Sequence, residues 1–564
     1  MNKIKVFSRI DELKKFFNDF IDYDVKVLAE AKEKLAKKLE EENIRFEAIH
    51  ADLQAKIEKA GDDAELVKKL TAELKEAKGA HKAKIRIAKQ EEKEPIKTAK
   101  ENLSLRKKRA RILLRVKRKE LVAWEKAGLD PNTTESEVEK LISDSFKPEL
   151  VEDDILLSVR HLKQYFGSSR GGRMRTKAVH DISFDVHKGE VFGLVGESGC
   201  GKTTTGRSLI RLYDITSGSV YYKGHRISGG TRWNKKEIKW KKISAKQQIK
   251  ELKAACKEAL SDAETTDEDI TLARQAKIKE HYQKEIEQVK YEIAEIVRIQ
   301  KAKIKLIEFD NQHVKKEMLN EIQMIFQDPS DSLDPRMTVE DTIQEGLQIQ
   351  GMRNKGQNSL KVSEVLEMVG LLPEYSSRYP HEFSGGQRQR IGIARATIMR
   401  PEFLICDEPV SALDVSIRAQ VINLLSDLRD EMGLTLLFIA HDLSLVKYFC
   451  DRIAVMYFGK IVELAPSNEL FAHPLHPYTK SLISAIPKPD PISEKGRQRI
   501  IYNPATAHNY SEEGGPELVE ILPGHWVLAN EKELANYNEE IKQLDKIAAA
   551  KKEAELEEEA AKAV

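Results

Sequence analysis

The chain has 564 residues, room by length for roughly three to four domains; 33% are charged and 6% aromatic. Its 94 Lys+Arg against 92 Asp+Glu leave a net charge of +2, so the chain as a whole has no pull toward nucleic acid or an anionic membrane. The four cysteines (Cys200, Cys256, Cys406, Cys450) form no CxxC pair, which excludes a disulfide scaffold and a zinc ribbon. No run approaches the ~18–20 apolar residues of a membrane span. The opening MNKIKVFSRIDELKKFFNDF lacks the apolar h-region of a signal peptide, so a membrane role is expected to come through partner subunits.

Residues 1–150 read as an N-terminal helical, coiled-coil-like extension, with Leu13, Phe16, Phe17 and Phe20, then Phe46, Ile49 and Leu53, at helical spacing. The run Ala60–Ala64 predicts a turn, and Pro95 a break in the helix that follows. Residues 101–120 hold nine Lys/Arg against two Glu. A basic helix lying on an anionic membrane or RNA competes there with one solvated face of a hairpin. The acid-rich flanks and the absence of interleaved aromatics favour the solvated face.

Residues 151–230 change to short strands and glycine turns. Here the apolar run Val191–Val195 leads into Gly196-Glu-Ser-Gly-Cys-Gly-Lys-Thr-Thr204 and a helix. Strand, glycine-rich loop and helix in that order make a phosphate-binding loop of Gly196, Glu197, Ser198, Gly199, Cys200, Gly201, Lys202, Thr203 and Thr204. The glycines let backbone N–H groups wrap phosphates, Lys202 is expected to reach the β/γ-phosphates, and the Thr203 hydroxyl to bind Mg²⁺.

Residues 231–316 are again charged and helical. Ile249, Leu252, Cys256 and Ala259 on one arm, and Tyr282, Ile286, Val289, Ile293 and Ile296 on the other, step by threes and fours. SDAETTDED between them supplies turn residues, with Thr266 and Asp269 as a weak capping box. This predicts an antiparallel coiled-coil hairpin inserted into a globular domain.

Globular texture returns over residues 317–487. The apolar strand Phe403–Cys406 ends in Asp407 and Glu408, and a carboxylate at a strand tip beside a phosphate loop can hold Mg²⁺ through water, the role expected of Asp407. Glu408 could polarise the water that attacks a γ-phosphate. Upstream, Phe383-Ser-Gly-Gly-Gln387 continues into RQRIGIARA. This set resembles the ABC-type ATPases, with Ser384, Gly385, Gly386 and Gln387 as their signature.

The resemblance implies an α/β fold, a P-loop NTPase cassette with a RecA-like core and a helical subdomain over about residues 328–399. It makes Gln327 the Q-loop glutamine and a Mg²⁺ ligand, Ser411–Asp414 the D-loop ending in Asp414, and His441 the switch histidine. ATP is then sandwiched between this chain's phosphate loop and a partner cassette's signature. Adenine is expected to stack on Phe166, with Tyr165 second.

GESGCGKTT, IFQDPSDSLDPRMTV and HEFSGGQRQR together resemble the ATPase subunits of oligopeptide and dipeptide importers. HPLHPYTKSLISAIP resembles the segment closing those subunits, and residues 488–528 the C-terminal module of the F-type subunit; a charged helical tail follows over 529–564. That family implies a second, related ATPase subunit in a heterodimer, two permease subunits and an extracellular peptide-binding protein. It also implies a peripheral place on the cytoplasmic side of a bacterial cell membrane, with Asp328–Leu333 facing the permeases. No cysteine follows Cys450, so no iron–sulfur cluster is expected.

The insert separates Lys202 from Gln327 by 125 positions (327 − 202), and it is expected to loop out without breaking the site. A DNA-tethering ATPase also carries a coiled coil there, but with a zinc hook or hinge at its tip, absent from SDAETTDED. A translation-factor relative needs two cassettes, and only one phosphate loop is present. No nucleic-acid partner is expected; an importer of dipeptides or nickel remains the alternative.

Overall fold

The computed structural model describes residues 2–61, 63–127, 154–167, 176–262, 268–411, 413–486, 499–508 and 515–543. The expected helical stretches 128–150 and 544–564 and the capping residue Thr266 lie outside them. The described residues divide into two compact units, one of residues 1–146 with 234–309, the other of residues 147–233 with 310–564.

The first unit is helical. Helix α1 (Asn2–Ala60) turns at Gly61 into α2 (Ala64–Glu91), which Asp63 caps by accepting from the backbone N–H groups of Glu65 and Leu66. Helix α3 (Lys93–Ala127) follows, with Pro95 in its first turn, where a missing N–H costs nothing. The insert forms α5 (Arg232–Asp262) and α6 (Glu268–Gln312). These segments, far apart in sequence, share a core made of two separate clusters: Phe17, Ala110 and Leu113 with Ile299 and Leu306, and Leu121 and Trp124 with Tyr291. Inside that core the ammonium of Lys117 donates to Glu120 at 2.6 Å and sits 4.8 Å from the Trp124 ring. Part of the basic run at 101–120 is therefore core rather than solvated face. Arg106 likewise reaches the buried Asp24 at 2.7 Å. The seam residues Ile249, Leu252, Ile286 and Val289 are only half-buried. Leu252, Ala255 and Val289 instead help line an open cleft of about 750 Å³ between the two arms.

The second unit is α/β. An antiparallel sheet of order β2-β1-β4-β5 is made by β1 (Ile155–Phe166), β2 (Thr176–His187), β4 (Ser217–Tyr222) and β5 (His225–Thr231). An eight-stranded sheet of order β11-β12-β10-β9-β3-β8-β7-β6 contains β3 (Val191–Val195), β6 (Ile322–Ile325), β7 (Phe403–Asp407), β8 (Thr435–Ala440), β9 (Arg452–Tyr457) and β10 (Lys460–Pro466). Strands β9, β3, β8, β7 and β6 run parallel. Every residue of β3, β7 and β8 is buried, which explains their unbroken apolar runs: a parallel sheet covered on both faces has no solvent side to alternate toward. The C-terminal hairpin β11 (Glu517–Leu522) and β12 (His525–Ala529) extends this same sheet through β10.

Helix α4 (Lys202–Leu209) follows β3. Helices α7 (Val339–Ile349), α8 (Lys355–Met368) and α9 (Gly385–Thr397) are capped by Thr338, Asn354 and Ser384, each accepting a backbone N–H. Helix α10 (Val415–Met432) begins at Asp414 and ends at Gly433, whose positive φ closes it.

Candidate nucleotide site

The parallel strands bring four sequence-distant segments to one edge. The glycine-rich loop leaves β3, Gln327 lies two residues beyond β6, Asp407 ends β7 with Glu408 next, and His441 follows β8. Ligands of open α/β sheets bind at this carboxyl edge, because the loops there diverge and leave a crevice.

The loop's shape is set by glycine. Gly201 caps α4 at φ 112°, and a Cβ there would lie 2.2 Å from the carbonyl oxygen of Ala178. At Gly196 a Cβ would lie 2.2 Å from the carbonyl oxygen of Met456. Lys202 is buried, its ammonium donating to the carbonyl oxygens of Gly196 at 2.8 Å and Glu197 at 3.0 Å, so it is held at the mouth of the loop.

Glu408 sits in the left-handed region at φ 46°, a costly conformation for a side chain with a Cβ, fixed by its backbone N–H donating to Ile439. The turn aims its carboxylate inward. Oε2 accepts from Gln327 Nε2 at 2.9 Å and lies 3.4 Å from His441 Nδ1, while Oε1 is 3.9 Å from the Lys202 ammonium. Gln327, Glu408, His441 and Lys202 thus form one cluster.

Asp407 is fully buried, and burial raises its pKa despite the hydrogen bond from Thr203. The Thr203 hydroxyl donates to Oδ1 at 2.9 Å, whereas buried Oδ2 has no hydrogen-bond partner. A buried carboxylate oxygen left open beside a phosphate loop fits a metal-bound water, so Thr203 and Asp407 suit Mg²⁺. The Gln327 amide, expected at the same ion, here bonds Glu408 instead.

Of the two adenine candidates, Tyr165 bonds His180 through its hydroxyl, which ties its ring to the sheet. Phe166 is exposed and packs edge-on against Tyr213 with 5.2 Å between centroids. The signature lies elsewhere. Ser384 Oγ accepts from Gln387 N, and Gln387 Oε1 accepts from Ser384 N, a capping box that fixes the N-terminus of α9. Among the described residues, no contact joins Ser384–Gln387 to Lys202, Asp407 or Glu408.

One residue escaped the sequence reading. The hydroxyl of Tyr478, at the start of α11 (Pro477–Ser484), accepts from the backbone N–H of Glu197 at 3.0 Å, so the closing segment grips the phosphate loop. Its ring packs among Tyr457 and Tyr502. The motif HPLHPYTK was the available signal, read only as a family marker. Tyr478→Phe removes the acceptor of the part-buried Glu197 N–H and so loosens the phosphate loop at its start. It is expected to raise KM for ATP about fivefold or more with little change in kcat or Tm; an unchanged KM would show the contact to be mere packing.

The same segment carries an acid-sensitive cap. His476 Nδ1 accepts from Tyr478 N at 3.1 Å, which requires a neutral ring, and its pKa is pushed down to about 3, chiefly by burial, then by His508 and Lys480. Because the unfolded ring titrates near 6.5, this contribution to stability is complete above about pH 6.5 and declines as pH falls toward about 3. Between pH 7 and 5 the wild type should lose ~2 kcal/mol more than His476→Asn, which keeps the cap without titrating. Equal losses in urea unfolding would exclude His476 as the source.

Residues 179–306 and 293–411 match the ABC transporter family, and residues 462–515 match the C-terminal region of oligopeptide/dipeptide transporters. The chain is 46% identical over 384 residues to the oligopeptide transport ATP-binding protein OppF of Bacillus subtilis (strain 168), covering 68% of this chain and 99% of the relative. It is 41% identical to OppF of Streptococcus mutans, over 68% of this chain and 97% of that one. To the dipeptide transport ATP-binding protein DppF of Lactococcus lactis it is 39% identical, over 69% and 98%.

Proposed function

The chain belongs to the ATP-binding subunits of oligopeptide ABC transporters and hydrolyses ATP to power peptide import, and from that premise we propose how its own residues do so. Membership brings permease partners and a pair of cassettes. No described helix is long and apolar enough to cross a membrane.

The convergence of Lys202, Gln327, Glu408 and His441 on one strand edge carries the assignment. Backbone N–H groups of Gly196–Thr204 cradle the phosphates, and Lys202 swings from the loop carbonyls to the β/γ-phosphates. Mg²⁺ held through Thr203, Asp407 and Gln327 would neutralise phosphate charge. Glu408 takes the proton of the attacking water, while Gln327 and His441 hold its carboxylate and sense the γ-phosphate. Phe166 rather than Tyr165 stacks on adenine. The separation of the signature from this cluster supports its use in trans, Ser384–Gln387 and Asp414 acting at the partner cassette's ATP. Arg395 on α9 donates to the Ser332 carbonyl at 2.7 Å, which links the signature helix to Asp328–Leu333, the segment assigned to the permeases.

The partner cassette in this reading is a second, related subunit, and the complex stands on the cytoplasmic face with an extracellular peptide-binding protein. The test is a detergent-solubilised pull-down of Glu408→Gln with ATP, read by mass spectrometry. Two permeases and one related ATPase are expected. Recovery of permeases with this chain as the sole ATPase would overturn the mixed dimer.

A further inference from the structure

The helical unit carries a surface that nucleotide chemistry does not use. On α5, Lys236, Lys239, Trp240, Ile243 and Lys246 recur at spacings of three and four, which places them on one helix face. Trp240 is 59% and Ile243 49% exposed, whereas Trp124 in the same unit is fully buried. The segment 232–246 holds seven Lys/Arg and a single acid, Glu237, which is half-buried; Lys235 is engaged at 3.6 Å by Glu308. Ala245 faces the opposite way and is buried, so this face is the helix's outer one.

We propose that this face of α5 docks on an anionic phospholipid surface, with Trp240 and Ile243 entering the headgroup layer and Lys239 and Lys246 meeting lipid phosphates. An exposed tryptophan beside an aliphatic side chain, ringed by lysines, is what an in-plane interfacial helix presents. Charge complementarity requires an anionic occupant. Ile243 favours lipid over RNA: a branched aliphatic gains from entering an acyl boundary and, unlike Trp240, offers no face on which a base could stack. A second cationic face, Lys107, Arg111, Arg115 and Arg118 on α3, is exposed without any aromatic. A face of that kind supplies salt-screened attraction at most and has nothing to insert.

The full chain is sedimented with vesicles of phosphatidylcholine alone and of equal parts phosphatidylcholine and phosphatidylglycerol. No permease is present, so the outcome is independent of importer assembly. Binding to the anionic vesicles is expected to be at least about tenfold tighter. Trp240→Ser with Ile243→Ser should weaken it about tenfold without changing its salt dependence. Lys239→Glu with Lys246→Glu, which keeps the apolar pair, should weaken it and flatten that dependence. Leu272→Ser, an equally exposed apolar residue on α6, should leave binding unchanged. Each variant should retain wild-type ATPase. Equal binding by wild type and the Trp240/Ile243 variant, equal binding to both vesicles, or tighter binding to single-stranded RNA than to vesicles would each overturn the proposal.

Discussion

Glu408→Gln is expected to bind ATP as tightly as the wild type while hydrolysing it about 10²–10³-fold more slowly. The amide has the shape of the carboxylate and can still hydrogen-bond Gln327 and His441, so the cluster at the strand edge survives. What it loses is the capacity to take a proton from water, and a positioned general base contributes about 10²–10⁴-fold. The strained backbone of Glu408 remains, because the turn and its bond to Ile439 do not depend on the side-chain charge. Removing the carboxylate also deletes a negative charge 3.9 Å from the Lys202 ammonium, which favours a second anion there. Affinity for ATP should hold or rise as turnover falls. Phosphate release and nucleotide binding measured on one preparation separate the two; turnover within about threefold of wild type would remove Glu408 from the role of base.

The clustering of the candidate nucleotide site was legible because the expected chemistry dictates residue type and spacing together. Only glycines fit at Gly196 and Gly201, and the proposed roles call for a cation at Lys202 and for Asp407 at the end of a strand adjoining the loop. The Tyr478 contact spans 281 positions and uses a backbone N–H, which leaves no trace in the side chain it touches. The shared helical core was hidden for another reason. Phe17, Leu113 and Ile299 sit on amphipathic helices, and the same periodic stripe would serve a partner chain, the helix's own hairpin, or an insert more than a hundred residues away. Charge counting misled as well: Lys117 reads as part of a solvated run, yet its pairing with Glu120 beneath Trp124 makes burial tolerable. The resemblance already ranked Phe166 before Tyr165, and the Tyr165 hydroxyl's bond to His180 adds a physical difference that the letters alone do not carry.

Gly201→Ala is expected to weaken ATP binding about 10²–10⁴-fold although it adds a single methyl group. At φ 112° an alanine is strained whatever surrounds it, and here the Cβ would meet the Ala178 carbonyl at 2.2 Å and the Met456 methyl at 2.8 Å. The Met456 methyl can rotate away. The Ala178 carbonyl belongs to β2, packed against β1, so the loop moves rather than the sheet. Displacing Gly201 shifts the first turn of α4, whose free N–H groups are the proposed phosphate ligands. Hydrogen bonds to a charged group are worth ~1.5–3 kcal/mol each, so misaligning two of them costs ~3–6 kcal/mol, or about 10²–10⁴-fold in affinity. The sheet core is untouched, so Tm should fall by only a few degrees. Titration with a fluorescent ATP analogue, read beside thermal unfolding, decides the matter. Affinity within about threefold of wild type would mean that the loop can re-form around the methyl and that its glycine geometry is not what holds the phosphates.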